Sequence, residues 1–251
     1  MLITVAFNDP QVIEWQTKLI AHYVPGAVHL VVDNSNNTAA KASIQDVCAA
    51  AGIRYFVVTG NPWVKKKTDG NDGSRSHGYA LNWAWANIVV PNRPSMVGVL
   101  DHDIFPVKET DPFHLLEGYT VGGTVKPLPD GRWYLWPGFA FFNFDRLPHA
   151  RLNFGKDWLD DMDTGGLNWR QLYRSLKRHE LHEASLLQSP ISDDIPIEDA
   201  LFDRIDDDWI HESRHSTSMA IHMDAARRQR LLFLKRQHTA NMLSALEGSR
   251  S

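Results

Sequence analysis

The 251 residues are 43% hydrophobic and 22% charged, enough apolar content for a sizeable core and too little charge for a disordered chain. A net charge of −4 gives nucleic acid phosphates no general attraction, so a nucleic-acid partner is not expected. Mean hydropathy is −0.33 and no apolar run approaches the roughly 20 residues of a membrane span, which excludes an integral membrane segment.

In chain order, Leu2 to Phe7 reads as a strand and Gln11 to Tyr23 as an amphipathic helix. Val28 to Val32 is a second β-branched run, closed by Asp33 and Asn34. Ala39 to Ala51 is helical and stops at Gly52, and Ile53 to Val58 is a third strand. A polar loop from Lys65 to Ser76 precedes a helix over His77 to Ile88, and Met96 to Leu100 is a fourth strand running into Asp101-His102-Asp103. Tyr119 to Gly123 and Ala140 to Phe144 read as strands, with Trp133 to Gly138 between them. Trp158 to His182 is rich in helix formers, Asp208 to His211 suits a late edge strand, and Ala220 to Leu246 is a terminal helix.

Strands alternating with helices predict an α/β fold, a mainly parallel central sheet flanked by helices, in one domain with a C-terminal helix. Ligands in such sheets sit beyond the carboxyl ends of the strands. Asn8-Asp9, Asp33-Asn34 and Asp101-His102-Asp103 fall there, which makes Asn8, Asp33, Asn34, Asp101 and His102 candidate substrate contacts. Alternation along an extended chain puts Asp101 and Asp103 on one side, where both carboxylates can face one cation, Mn²⁺ or Mg²⁺. The N-terminal Met1 to Phe7 has no basic region ahead of its apolar run, which argues against a signal peptide. Cys48 is the only cysteine. A reducing compartment fits, so a cytoplasmic location is expected. Arg227, Arg228, Arg230, Lys235 and Arg236 form either the solvated face of the terminal helix or a patch for a diphosphate or an anionic membrane surface, a peripheral contact.

Four segments, spread over the first half with a weaker extension, resemble GT-A glycosyltransferases, broadly of the family 2 kind. They are Val31-Val32-Asp33-Asn34-Ser35, Ser76-His77-Gly78-Tyr79-Ala80-Leu81-Asn82, Val99-Leu100-Asp101-His102-Asp103, and Trp136-Pro137-Gly138-Phe139-Ala140-Phe141-Phe142-Asn143. The resemblance implies a nucleotide-sugar-binding half over 1–105, an acceptor-side half over 106–220 and a C-terminal helix over 221–251. It implies a nucleotide diphosphate sugar donor and an acceptor that is a glycan, lipid or small molecule. Asp33 would contact the nucleoside, with Arg75, His77, Gly78 and Asn82 on the donor side and Trp136 and Gly138 on the acceptor side. Trp133 and Trp136 would form a sugar platform, and the helix N-terminus near His77 would face the departing phosphate. A late histidine completes the metal shell in many such enzymes; His211 and His215 both qualify, His211 first. Asp163 stands where the resemblance puts the acid that takes the acceptor's proton, with Glu198-Asp199 as second choice. Two features depart from the family pattern: the first strand ends in Ala6-Phe7-Asn8-Asp9-Pro10, and no acidic pair is obvious.

Other chemistries stay open at this stage. His211-Glu212-Ser213-Arg214-His215 spells the zinc-peptidase motif, which needs a helix to bring its histidines together. A catalytically silent nucleotide- or sugar-binding module would need Asp33 but no base. A nucleotidyltransferase would need a glycine-rich phosphate loop, and none stands near the N-terminus.

Overall fold

The first half folds as its alternation predicts. Strands β1 (Leu2–Ala6), β2 (His29–Asp33), β3 (Arg54–Val57) and β4 (Met96–Asp101) lie parallel in the order β3-β2-β1-β4. The computed structural model describes residues 1–64, 72–149, 151–160, 162–190, 201–212 and 224–248. Helix α1 (Pro10–Tyr23) starts where Asp9 accepts from the Val12 amide at 3.3 Å, and Pro10 occupies a first-turn position that needs no N–H donor. Helix α2 (Thr38–Ala50) is capped by Asn37, which accepts from the Ala40 amide at 3.0 Å. Helix α3 (Asp72–Ala84) begins five residues earlier than the spacing suggested and runs on through a π-helical turn, Trp85–Val89. His77 therefore stands in its second turn, not at its N-terminus, and the helix dipole does not focus on it.

The second half departs from the sequence reading. β7 (Trp133–Asn143) is one long strand that absorbs the Trp133 to Gly138 stretch. It pairs antiparallel with both β4 and β6 (Val121–Pro127), and β8 (Leu181–Glu183) adds parallel to β6. Among the described residues the main sheet thus has seven strands, ordered β3-β2-β1-β4-β7-β6-β8. A second, antiparallel sheet of four strands is built from β5 (Ile104–Pro106), β9 (Leu186–Pro190), β10 (Leu201–Ile205) and β11 (Trp209–His211), in the order β5-β11-β10-β9. β11 is an inner strand, not an edge. Between Trp158 and His182 the described residues form only short turns of helix, such as Asn168–Gln171, before β8.

Each face of the main sheet is covered. On one, Trp85 packs edge-on to Phe142 at 5.4 Å and beside Phe154 at 5.7 Å. On the other, Phe139 meets Phe141 at 4.8 Å and Trp209 of the small sheet at 5.5 Å. The C-terminal helix (Ala225–Gly248) buries Leu231, Lys235, Thr239 and Leu243, one residue per turn. Lys235 is thus buried and Arg236 pairs with Asp9, so neither belongs to a solvated basic face. The side chains of Arg227 and Arg228 lie outside the described residues. Among the described residues no helix is long and apolar enough to cross a membrane.

A line of polar groups runs through the core under β1. Thr4 donates its hydroxyl proton to Gln16 Oε1 at 2.8 Å, so the 3.0 Å contact with His29 Nε2 requires that nitrogen to carry the proton. His29 Nδ1 is buried without a hydrogen-bond partner among the described residues. Burial lowers the imidazole from its ordinary 6.5 to about 4. A base depressed on folding contributes stability that is complete above pH 6.5 and lost as pH falls toward 4. That loss should reach about 3 kcal/mol. Urea unfolding at pH 7, 5 and 4 should show His29→Gln flattening this acid limb; an unchanged limb would remove His29 from the account.

Candidate metal and donor site

At the carboxyl end of β4 the chain passes from the main sheet to the small one. Asp101 ends β4, His102 and Asp103 form a turn, and Ile104 begins β5. The two carboxylates converge because the chain turns here, whereas the sequence argument had relied on extended alternation. β11 pairs with β5 so that His211 stands opposite Ile104, and the Glu212 amide donates to the Asp103 carbonyl at 2.9 Å. Ligand atoms of Asp101, Asp103 and His211 all lie within 4.8 Å of one another. His77 approaches from α3 on the opposite layer, its Nε2 3.3 Å from Asp101 Oδ1. That nitrogen is buried and forms no aligned hydrogen bond among the described residues.

Electrostatics favour the charged forms of Asp103 and His211. Burial pushes the Asp103 carboxyl up, but the neighbouring His211 charge and hydrogen bond, helped by His102, outweigh it and hold the group below the usual carboxylate range. Burial likewise lowers His211, but Asp103, then Asp203, then Asp101 raise it to about 9. Its Nε2 faces Asp103 Oδ1 at 3.6 Å and its Nδ1 faces Asp203 Oδ2 at 3.3 Å. The sequence reading missed Asp203: it sits on β10 opposite His211 in register, and no local motif marks it. A carboxylate on the far nitrogen orients an imidazole ligand and raises its basicity. Asp203→Asn should weaken divalent metal binding about 10- to 100-fold by titration calorimetry; unchanged affinity would leave Asp203 no part in the site.

Two carboxylates and an imidazole at this spacing fit a borderline divalent ion such as Mn²⁺, and serve Mg²⁺, which prefers oxygen alone, less well. The described part of the zinc-peptidase motif is not the helix that the motif needs. His211 lies on a strand, and Glu212 turns inward, 2% exposed, its carboxyl raised to about 8 by burial and then by Asp103. His215 and Ser216 to Ser218 lie outside the described residues, as do Glu198-Asp199 and Lys65 to Lys67.

Several expected substrate contacts are engaged by the protein itself. Asp33 is fully buried; its oxygens accept from the Tyr55 hydroxyl at 2.6 Å and the Ser35 amide at 2.8 Å, so it presents neither to a nucleoside. Asn34 donates to Ser76 Oγ at 3.0 Å and accepts from Asn61 at 2.7 Å. Asn8 clasps the β1 and β2 ends together, its Oδ1 accepting from the Asn36 and Asn37 amides at 3.1 Å each. Asn82 holds the chain after β7, donating to Asn153 at 3.0 Å and accepting from the Phe154 amide at 2.8 Å. Gly78 serves the same packing, since a Cβ there would lie 2.6 Å from the Phe154 carbonyl oxygen. Arg75 pairs with Asp72 at 3.1 Å and lies between Trp63 and Trp158, 4.8 and 4.3 Å from their rings.

Trp136 does reach the cluster. Its ring is 4.7 Å from that of His211, and Gly138 makes this possible, because a Cβ there would lie 2.1 Å from the indole. Trp133 instead stacks on Tyr173 at 4.9 Å and serves packing. Asp163 is exposed, in a turn where its Oδ1 accepts from the Thr164 amide at 2.8 Å. Thr164 donates to the Ser74 carbonyl at 3.1 Å, which sets this turn beside the start of α3, one helical turn from His77.

No family model matches the chain, and no curated protein matches it. Among solved structures, the galactosyltransferase LgtC in complex with donor and acceptor sugar analogues is 13% identical with a TM-score of 0.37, over 58% of each chain. A glucosyl-3-phosphoglycerate synthase from Mycobacterium tuberculosis in complex with phosphoglyceric acid is 15% identical with a TM-score of 0.45, over 72% of this chain and 67% of that one. A197 from STIV is 9% identical with a TM-score of 0.35, over 88% of this chain and 98% of that one. The chain spans little more than half the length of the LgtC chain it matches. These are partial likenesses of fold.

Proposed function

We propose that this chain is a metal-dependent glycosyltransferase that moves a sugar from a nucleotide diphosphate sugar to an acceptor hydroxyl. The observation that carries the reading is the convergence of Asp101, Asp103 and His211 beyond the carboxyl ends of the parallel strands. A divalent ion held there, Mn²⁺ in preference to Mg²⁺, supplies positive charge to the diphosphate as it leaves. Asp101 and Asp103 provide the anionic ligands, and His211, oriented by Asp203, the third. His77 Nε2, buried and facing Asp101 Oδ1 at 3.3 Å without an aligned hydrogen bond, is the group proposed to bond a donor oxygen. Trp136 offers an apolar ring beside the cluster for the sugar's C–H face. Asp163 is the carboxylate proposed to take the acceptor's proton, its turn being tied to α3 near His77.

Thermal unfolding against a panel of nucleoside diphosphates and nucleotide sugars, with and without Mn²⁺, tests the donor site. A ligand at 100 times its dissociation constant adds about 2.7 kcal/mol. Stabilisation by one nucleotide that depends on Mn²⁺ is expected, followed by sugar release or transfer in a product assay. Nucleotide binding with no turnover toward glycan, lipid or small-molecule acceptors, or toward water, would favour the silent binding module. No response to any nucleotide would sink the donor reading.

A further inference from the structure

We propose that Gln16 is the positioning residue of the metal turn, holding the carboxylates of Asp101 and Asp103 at their binding spacing; the proposal rests on the metal reading above. Gln16 lies on α1, fully buried, and its Nε2 donates to two carbonyls, Asp101 O at 2.8 Å and Ile104 O at 2.8 Å. Those carbonyls belong to the last residue of β4 and the first of β5, the two ends of the turn that carries Asp103. One amide nitrogen therefore ties both ends of the turn to a single point on a helix.

The orientation of that amide is itself fixed. Only its NH2 group can donate to the two carbonyls, so both Nε2 protons face the turn and Oε1 faces β1, where it accepts from the Thr4 hydroxyl at 2.8 Å. From the other side the Glu212 amide holds the Asp103 carbonyl at 2.9 Å. The turn is thus pinned from α1 and from β11, and its side chains are left to point outward at the cluster. A fully satisfied buried polar group rigidifies what it contacts, and a metal site built on a turn needs that support to keep its ligands within tenths of an ångström. Gln16 touches neither ligand side chain nor substrate; it acts through the backbone.

The test compares the wild type with Gln16→Leu, and with Gln16→Met should the first not fold. Thr4→Val serves as the control, since it disturbs the same buried line but leaves both Gln16 donors. Mn²⁺ binding is read from the loss of the free-ion spin resonance signal. Hydrogen exchange of the amides from His102 to Phe105 is read in metal-free protein. Gln16→Leu should weaken Mn²⁺ binding tenfold or more and speed exchange in the turn by at least as much. Thr4→Val should stay within threefold of wild type in both. Wild-type affinity and exchange in the Gln16 variants would overturn the proposal, and so would equal losses in Thr4→Val, which would mark a general loss of stability. If wild-type protein binds no Mn²⁺, the metal reading falls, and exchange of the turn alone then decides whether Gln16 is its clamp.

Discussion

Asp103→Asn is expected to lower Mn²⁺ affinity at least 100-fold and to abolish metal-dependent donor binding, with the fold intact. The amide keeps the shape of the carboxylate but neither its charge nor its strength as a ligand for a hard or borderline ion. The native carboxyl is kept ionised by His211 and then His102 against the push of burial, and metal binding displaces the His211 proton that helps to hold it so. The same substitution removes the first of the groups that raise His211, so its imidazole should titrate well below about 9, which proton NMR of the ring would record. Calorimetric titration with Mn²⁺, repeated in the presence of the stabilising nucleotide, measures the main effect. Wild-type metal affinity in Asp103→Asn would move the metal away from this turn.

Trp209→Ala should be the most damaging single change in the small sheet. Trp209 is 1% exposed, pairs with Pro106 and Ile205 across its neighbouring strands, and packs on Phe139 of the main sheet with ring centres 5.5 Å apart. Truncating such an indole costs about 3–5 kcal/mol through lost burial and the cavity left behind. In a chain of this size that lowers the midpoint of thermal unfolding by roughly 10 °C. The functional effect follows from position. Trp209 sits two residues before His211 on the same strand, so loosening its seat frees the third metal ligand. Trp209→Phe, which keeps an aromatic contact with Phe139, should retain most of the stability and the metal response. If Trp209→Ala unfolds at the wild-type temperature, the small sheet is not held through this contact.

Three of the four parallel strands, β1, β2 and β4, were legible because each is a nearly continuous apolar run, mostly buried and bounded by polar turns, and the more exposed edge strand β3 was legible from its β-branched and aromatic residues. The antiparallel half was legible only in part: Tyr119 to Gly123, Ala140 to Phe144 and Asp208 to His211 read as strands, but Ile104–Pro106 and Leu186–Pro190 are too short for a period to emerge. They exist because distant partners complete their hydrogen bonds. The Asp101-His102-Asp103 turn could be read because its residues are adjacent, and His211 was reached by resemblance. Asp203 and Gln16 could not be found the same way. Gln16 bonds a carbonyl 88 positions away, and a buried glutamine in an amphipathic helix looks like any other polar residue until its partner is known. Asp33, Asn34 and Asn82 show what sequence leaves out: polar residues at strand and helix ends attract a functional reading, and the structure adds that each bonds backbone or side-chain groups of the protein.

The union of β5 with β11 has a consequence for the order in which the molecule assembles. Parallel strands β1 to β4 and both carboxylates have been synthesised by Asp103, but the strand that pairs with β5 arrives about a hundred residues later. Closing so long a loop is entropically slow, and β5 must wait for it with its hydrogen-bonding edge bare. The nascent chain therefore acquires its parallel-sheet scaffold well before it acquires the complete Asp101, Asp103 and His211 cluster. A stalled or partly folded intermediate would carry Asp101 and Asp103 without His211, a species with a folded sheet, an unpaired edge prone to association, and no chemistry.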